Sequence, residues 1–287
     1  MGRMNVKDKI FKFILFCSGM IILLLVAGIF YALITQSLPA FERFGFFRFI
    51  SSPEWDDGRK QYGALLFITG SFITATLALI ISIPFSISLS LLCEGIYKEK
   101  KIARITSYIV YLMSNIPSII IGVWAYYSLR PILISLNIGQ YGYGIISASL
   151  VLAIMIIPYS SYFINILLSI VPKKLKEAAY SLGATRFDVI WMIVFPCAKR
   201  GIFGVFILAF VKVLGESIIA VLLIGNMNQV PDGITDTGNT MASIILNQCG
   251  SADDLKFSSL FAIALLLFLI TSIVTSLAYN MIRRYLK

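Results

Sequence analysis

Residues 13–41 read FILFCSGMIILLLVAGIFYALITQSLPAF, twenty-nine positions without one Asp, Glu, Lys or Arg. A bilayer core of roughly 30 Å is crossed by about 20 apolar residues in helical form. Only a helix or a closed barrel pairs its backbone groups inside hydrocarbon, so this run is expected to be a membrane-spanning helix. It is too long for the core of a cleavable leader, and no small-residue cleavage site follows, so it is expected to be retained. Uncharged runs recur at 61–93, 105–129, 131–172 and 257–282. The run from Pro131 first passes a turn rich in glycine (Gly139, Gly142, Gly144) and then holds one span from about Ile145. Another span, about 201–225, is interrupted only by Lys212 and Glu216. The chain is therefore expected to be an all-α membrane protein of about six transmembrane helices, with 1–287 forming one membrane domain. Its composition leads to the same place: 59% of residues are hydrophobic and 13% charged, too few polar groups to build a water-facing surface.

The net charge of +10 would suit nucleic acid, but the basic residues are placed by topology. With the N-terminus cytoplasmic, seventeen Lys and Arg fall inside, at positions 3–12, 98–104, 173–200 and 283–287, and six fall outside. Positive residues mark the cytoplasmic face. Six spans with both termini inside a cell or inner membrane are expected. Four cysteines (Cys17, Cys93, Cys197, Cys249) have no metal-type or redox-type spacing. Histidine is absent, and so is any GxxxxGK[ST] phosphate loop. No cofactor is expected on this chain, and neither a catalytic nor a metal site.

The segment 35–62, reading TQ…FERFGFFRFISSPEWDDGRKQY, mixes aromatics with charges and is expected outside, as an interfacial helix or a plain polar connection. Pro84, Pro117 and Pro158 lie within the second, third and fourth spans and are expected to kink them. Between spans four and five, residues 171–200 read VPKKLKEAAYSLGATRFDVIWMIVFPCAKR. Pro172 is placed to start a helix of good helix formers. Gly183 punctuates it, and a second helix is expected from about Thr185 to Phe195, stopped by Pro196. The result is a knob on the cytoplasmic face. Small residues at Ala178, Ala179 and Gly183 would let another protein approach closely.

Glu177-Ala178-Ala179, Gly183 six residues after Glu177, Ile193 ten further on, and the closing Phe195-Pro196 resemble the EAA loop of ABC importer permeases. Many relatives end the pattern in Leu-Pro, so Phe195 is a departure. The resemblance implies a type I importer permease in which this loop couples to a cytoplasmic ATPase. LAIMIIP (152–158), LGES (214–217), LLIGN (222–226), GNTMAS (238–243) and YGALLFITGS (62–71) are similar to the PstC-type permeases of phosphate-specific importers. The likeness runs from about Tyr62 to the end, and the first sixty residues match only in layout. It implies phosphate import with a PstA-like second permease, two PstB-like ATPase subunits that use the ATP, and a PstS-like external phosphate-binding protein.

Lys212 and Glu216 are expected near the middle of the fifth span, one turn apart on one helix face. A charge at the bilayer centre costs about 2.5–3.5 kcal/mol on insertion scales, so it faces a cavity or a partner. Two roles are open: a cationic contact for a passing anion with Glu216 holding Lys212, or an ion pair that locks helices. The family has Arg where this chain has Lys212, and Lys lacks the bidentate fork of Arg. Rival functions are import of another oxyanion such as molybdate or sulfate, a secondary transporter or channel, and a membrane-embedded enzyme. The docking loop speaks against a transporter or channel that works alone. The lack of histidine and of clustered carboxylates speaks against an enzyme.

Overall fold

The computed structural model describes residues 6–96 and 101–286, so Arg3, Lys98, Lys100 and Lys287, which enter the charge count above, lie outside the described residues. The described chain is almost wholly helical. Six helical stretches are long and apolar enough to cross a membrane: Phe11–Phe44, Leu65–Cys93, Ser118–Ser135, Ile145–Ile170, Arg186–Leu214 and Asp254–Arg283. This is a multi-pass membrane protein. Three of the six stretches run differently from the sequence expectation.

Helix α1 (Val6–Phe44) continues past Pro39. A proline inside a helix disturbs its hydrogen-bond ladder, and here a neighbouring helix repairs it. The Ala40 N–H donates to Ser258 Oγ (3.0 Å), and that hydroxyl donates to the Gln36 carbonyl (2.8 Å). Ser258 belongs to the last helix, α13 (Asp254–Leu286), against which α1 packs. The first ten residues of segment 35–62 are therefore helix. A six-residue helix α2 (Phe46–Ser51) and a hairpin of β1 (Trp55–Asp56) and β2 (Gln61–Tyr62) follow. The hairpin is pinned to the far end of the chain: Lys256 Nζ lies 2.6 Å from Asp57 Oδ2, and Trp55 Nε1–H donates to Gln248 Oε1 at 3.1 Å. Burial first, and then the Asp57 and Asp253 carboxylates, push the Tyr62 phenol well above its ordinary pKa, so it stays neutral.

The expected third span, 105–129 with Pro117 inside it, is not one helix. Helix α4 (Lys101–Ser114) ends, and α5 (Ser118–Trp124) begins after Pro117. Proline disfavours helical backbone at the residue before it, and polar side chains make the break tolerable. Asn115 Nδ2 and Ser114 Oγ both donate to the Tyr111 carbonyl, at 2.7 and 2.8 Å. Beyond α5 a π-helical turn (Ala125–Leu129) leads into α6 (Arg130–Ser135).

The expected fifth span, 201–225, is shifted. Helices α8 (Lys173–Ser181) and α9 (Arg186–Val189) are followed by a π turn (Ile190–Val194) and α10 (Phe195–Leu214). Pro196 does not stop a helix there. It sits in the first turn of α10, where its fixed φ suits the helix. The span ends at Leu214, and a separate six-residue helix, α11 (Ile218–Leu223), follows a break.

The centre of the molecule is the pairing of α3 (Leu65–Ser90) with α7 (Ile145–Ile170). Lipid removes most of the hydrophobic drive between helices, so close approach through small residues and hydroxyls takes over. Gly70, Ser71, Thr74, Ala75, Ala78, Ser82, Ser86 and Ser90 form a buried ridge on α3. Ser149 Oγ donates to the Thr74 carbonyl (3.2 Å), Ser161 Oγ to Ser86 (3.2 Å) and Ser90 Oγ to Ser161 (3.2 Å). Pro84 and Pro158 lie inside these two helices, as expected. The ridge also seats α12 (Met241–Gln248): the Met241 N–H donates to Ser71 Oγ at 2.8 Å. Any Cβ on Gly70 would overlap the Asn239 carbonyl oxygen. Gly70→Val is therefore expected to lower stability by about 3 kcal/mol, the upper range for overpacking. A fall of several degrees in the melting temperature of the purified protein in detergent would agree, and unchanged melting would not.

Candidate functional site

Two places collect the residues that the sequence singles out. The first is the segment between α7 and α10. Pro172 takes the N-cap position of α8, as its fixed φ allows. The helix closes in a paired-bond C-terminal motif. The Gly183 N–H donates to the Tyr180 carbonyl (3.0 Å) and the Ala184 N–H to Ala179 (3.1 Å), the arrangement that calls for a left-handed residue just past the helix end. Gly183 supplies it, with φ +85°. Thr185 then starts α9 with a reciprocal cap: Asp188 N–H donates to Thr185 Oγ1 (3.3 Å), and Thr185 N–H to Asp188 Oδ2 (2.9 Å).

This local chemistry fixes which residues face out. Glu177, Ala178, Gly183 and Pro196 are exposed, and Leu182 at the tip is 90% exposed. Phe187 and Met192 add exposed apolar surface. Ala179, expected as part of the approachable surface, is buried instead. It packs with Val189 and Val194 against Ile164, Leu167 and Leu168 of α7, and Ile193 is partly buried beside them. Its smallness lets the knob sit on its own helix bundle. Nothing lies within 4 Å of the position a Gly183 side chain would take.

The second place is the break after α10. The sequence suggests one helix face carrying Lys212 and Glu216, and the structure separates them. Lys212 is in the last turn of α10, while Glu216 lies past the helix end. Gly215 is the C-cap of α10, its N–H reaching the Val211 carbonyl at 3.2 Å. Glu216 Oε1 accepts from the Ile218 N–H (3.2 Å) at the start of α11. Among the described residues, no ion pair within 4 Å joins Lys212 to Glu216, and no hydrogen-bond acceptor meets the Lys212 ammonium. What meets it is an aromatic face. Lys212 Nζ stands 4.2 Å from the ring centroid of Tyr159 on α7. Sequence reasoning misses Tyr159, because an aromatic residue in an apolar span carries no mark distinguishing it from packing. The nearby loop from α11 to α12 turns at Gly225 (φ +96°) and Asn226 (φ +54°), and the Asn226 side chain ties back to the Val221 carbonyl at 2.7 Å.

Residues 82–287 match the family described as the binding-protein-dependent transport system inner membrane component. The chain belongs to this family. The match begins inside α3 and takes in both the exposed knob and the Lys212 break. Over 282 residues the chain is 33% identical to the phosphate transport system permease protein PstC of Pasteurella multocida, covering 92% of this chain and 88% of that protein. Its identity to the PstC protein of Haemophilus influenzae is also 33%, over 96% of this chain and 93% of the relative. For the fold alone, the chain resembles a bacterial alginate ABC transporter crystallised with an alginate pentasaccharide-bound periplasmic protein. There the TM-score is 0.65 at 17% identity, covering 97% of this chain and 96% of the other. As a member of a family of importer permeases, the chain is a transport component and not an enzyme.

Proposed function

We propose that the chain is one of two membrane subunits of an ATP-driven importer of inorganic phosphate. In this proposal Lys212 lies in the path of the anion, and the knob between α7 and α10 couples to an ATPase. The observation that carries the cargo is the 33% identity to two phosphate transport permeases across nearly their whole length. The site chemistry supports it. Moving an anion through an apolar barrier requires a compensating positive group, and the Lys212 ammonium has its N–H donors unspent. Glu216 does not occupy it, its Oε1 accepting from the Ile218 N–H instead. The exposed Leu182, Phe187 and Met192 around Glu177, Ala178 and Gly183 suit a protein partner, and Ile193 and Pro196 shape the turn into α10. The assembly would comprise this chain, a PstA-like second permease, two PstB-like ATPase subunits that hydrolyse the ATP, and an external PstS-like phosphate-binding protein. The chain itself would hold no cofactor.

The basic residues imply that both termini and the knob face the cytoplasm, and that the 46–62 segment and the loop around Asp232 face outward. In a variant lacking the native cysteines, an impermeant thiol reagent added outside is expected to modify Asp232→Cys and spare Lys174→Cys. The opposite pattern would invert the topology. A second reading is favoured by the chemistry of Lys212 itself. A point charge discriminates less among oxyanions than a planar fork, so sulfate or molybdate is the rival cargo. The assembled transporter in proteoliposomes, supplied with ATP, is expected to accumulate phosphate with no competition from sulfate or molybdate. Accumulation of sulfate or molybdate instead would transfer the assignment to that anion.

A further inference from the structure

We propose that Tyr159 is a positioning residue of the anion site, holding the Lys212 ammonium on its ring face so that its donors stay free. This rests on the placement of Lys212 in the anion's path. A lysine beside a carboxylate satisfies itself: its charge is neutralised and its N–H donors point at the partner. A lysine on an aromatic face does not. The ring attracts the cation through its quadrupole and accepts none of the hydrogen bonds that an oxyanion would use.

Three observations on separate elements combine here. Lys212 Nζ lies 4.2 Å from the Tyr159 centroid, with no carboxylate within 4 Å of it among the described residues. Glu216, the nearest competitor for the ammonium, is engaged by the Ile218 N–H at 3.2 Å. The Tyr159 ring is itself fixed, its centroid 4.9 Å from that of Phe163 one turn on, at 63°, and it packs against the core between α3, α7 and α10. The break after α10 thus leaves Glu216 on the Ile218 N–H at the start of α11, and α7 supplies the surface that takes the lysine in its place. An anion approaching the side of Nζ away from the ring meets a preorganised cation. Without the ring, the flexible Lys212 side chain is free to swing toward Glu216, and the charge available to the cargo falls.

The test compares Tyr159→Phe, Tyr159→Leu and Tyr159→Met in the complete transporter, with its second permease, ATPase subunits and binding protein in proteoliposomes. Inorganic phosphate uptake and melting temperature are measured for each. Phe keeps the ring face and is expected to transport within about twofold of the unmodified protein. Leu and Met keep bulk without the quadrupole and are expected to fall about tenfold, equivalent to about 1.4 kcal/mol, while melting like the Phe variant. Uptake at the unmodified rate in Leu and Met, or an equal fall in Phe, overturns the proposal. So does a fall that simply follows melting temperature, because that is the signature of packing. A Lys212→Met variant run alongside separates the two levels. If it transports phosphate normally, the placement of Lys212 in the pathway fails. If it is inactive while Tyr159→Leu is unimpaired, only the role of Tyr159 fails.

Discussion

Lys212→Ala is expected to reduce phosphate uptake at least a hundredfold without reducing the amount of protein in the membrane. Two unit charges 4 Å apart attract by about 4 kcal/mol at an effective dielectric constant of about 20, and each 1.4 kcal/mol is about a factor of ten. Losing the Lys212 side chain at the α10 break therefore removes enough stabilisation to stall an anion, while Glu216 leaves negative charge beside the path. Insertion is unaffected because removing a charge from an apolar helix lowers its transfer cost. Lys212→Arg is expected to keep a substantial share of uptake, since it keeps the positive charge and Arg also stacks on aromatic faces. Initial rates of phosphate uptake, normalised to transporter content, measure both. Loss of uptake in the Arg variant as deep as in the Ala variant would contradict a role resting on positive charge.

Gly183→Trp is expected to uncouple ATP hydrolysis from transport. Gly183 ends α8 with φ +85°, a conformation that costs an ordinary L-residue about 1–2 kcal/mol. The position is open, with nothing within 4 Å of the place a Cβ would occupy, so strain and added bulk can be told apart. Gly183→Asn tests strain, because Asn tolerates left-handed backbone, and it is expected to transport nearly normally. The Trp variant places an indole on the exposed tip beside Leu182. It is expected to insert and yet lose transport at least tenfold, with ATP hydrolysis no longer stimulated by loaded binding protein. Measuring hydrolysis and uptake on the same vesicles settles it. Normal coupling in the Trp variant would remove the knob from the ATPase contact.

How far the sequence alone reaches depends on what stops each helix. Uncharged runs gave the membrane class and the rough place of every crossing, because hydrocarbon penalises charge whatever the neighbours do. The knob was readable in part: Pro172, Gly183 and Thr185 act through their own backbone preferences, starting α8, closing it and starting α9, but the second helix is not stopped at Pro196 and runs on into α10. The breaks were not readable. Pro117 inside an apolar run is compatible with a kink or a gap, and the choice fell to Asn115 and Ser114, which cap the freed Tyr111 carbonyl. Pro39 met the opposite outcome because Ser258, more than two hundred residues away, bridges its helix. Lys212 and Glu216 suggested a pair on one face only while the helix was assumed to continue past Gly215. Once it ends there, Glu216 accepts from the Ile218 N–H at the start of α11 and the lysine turns to Tyr159, a partner no spacing rule contains.

The most direct test of Lys212 as the anion's contact is phosphate uptake by the Lys212→Met, Glu216→Leu double variant in the complete transporter. Removing charges from an apolar span lowers its transfer cost, and Met and Leu keep most of the volume, so the variant is expected to insert, assemble and melt like the unmodified protein. If the charges serve the cargo, it takes up no phosphate above the level of vesicles lacking ATP. Uptake at the normal rate would contradict the account and leave the two charges with a purely structural role.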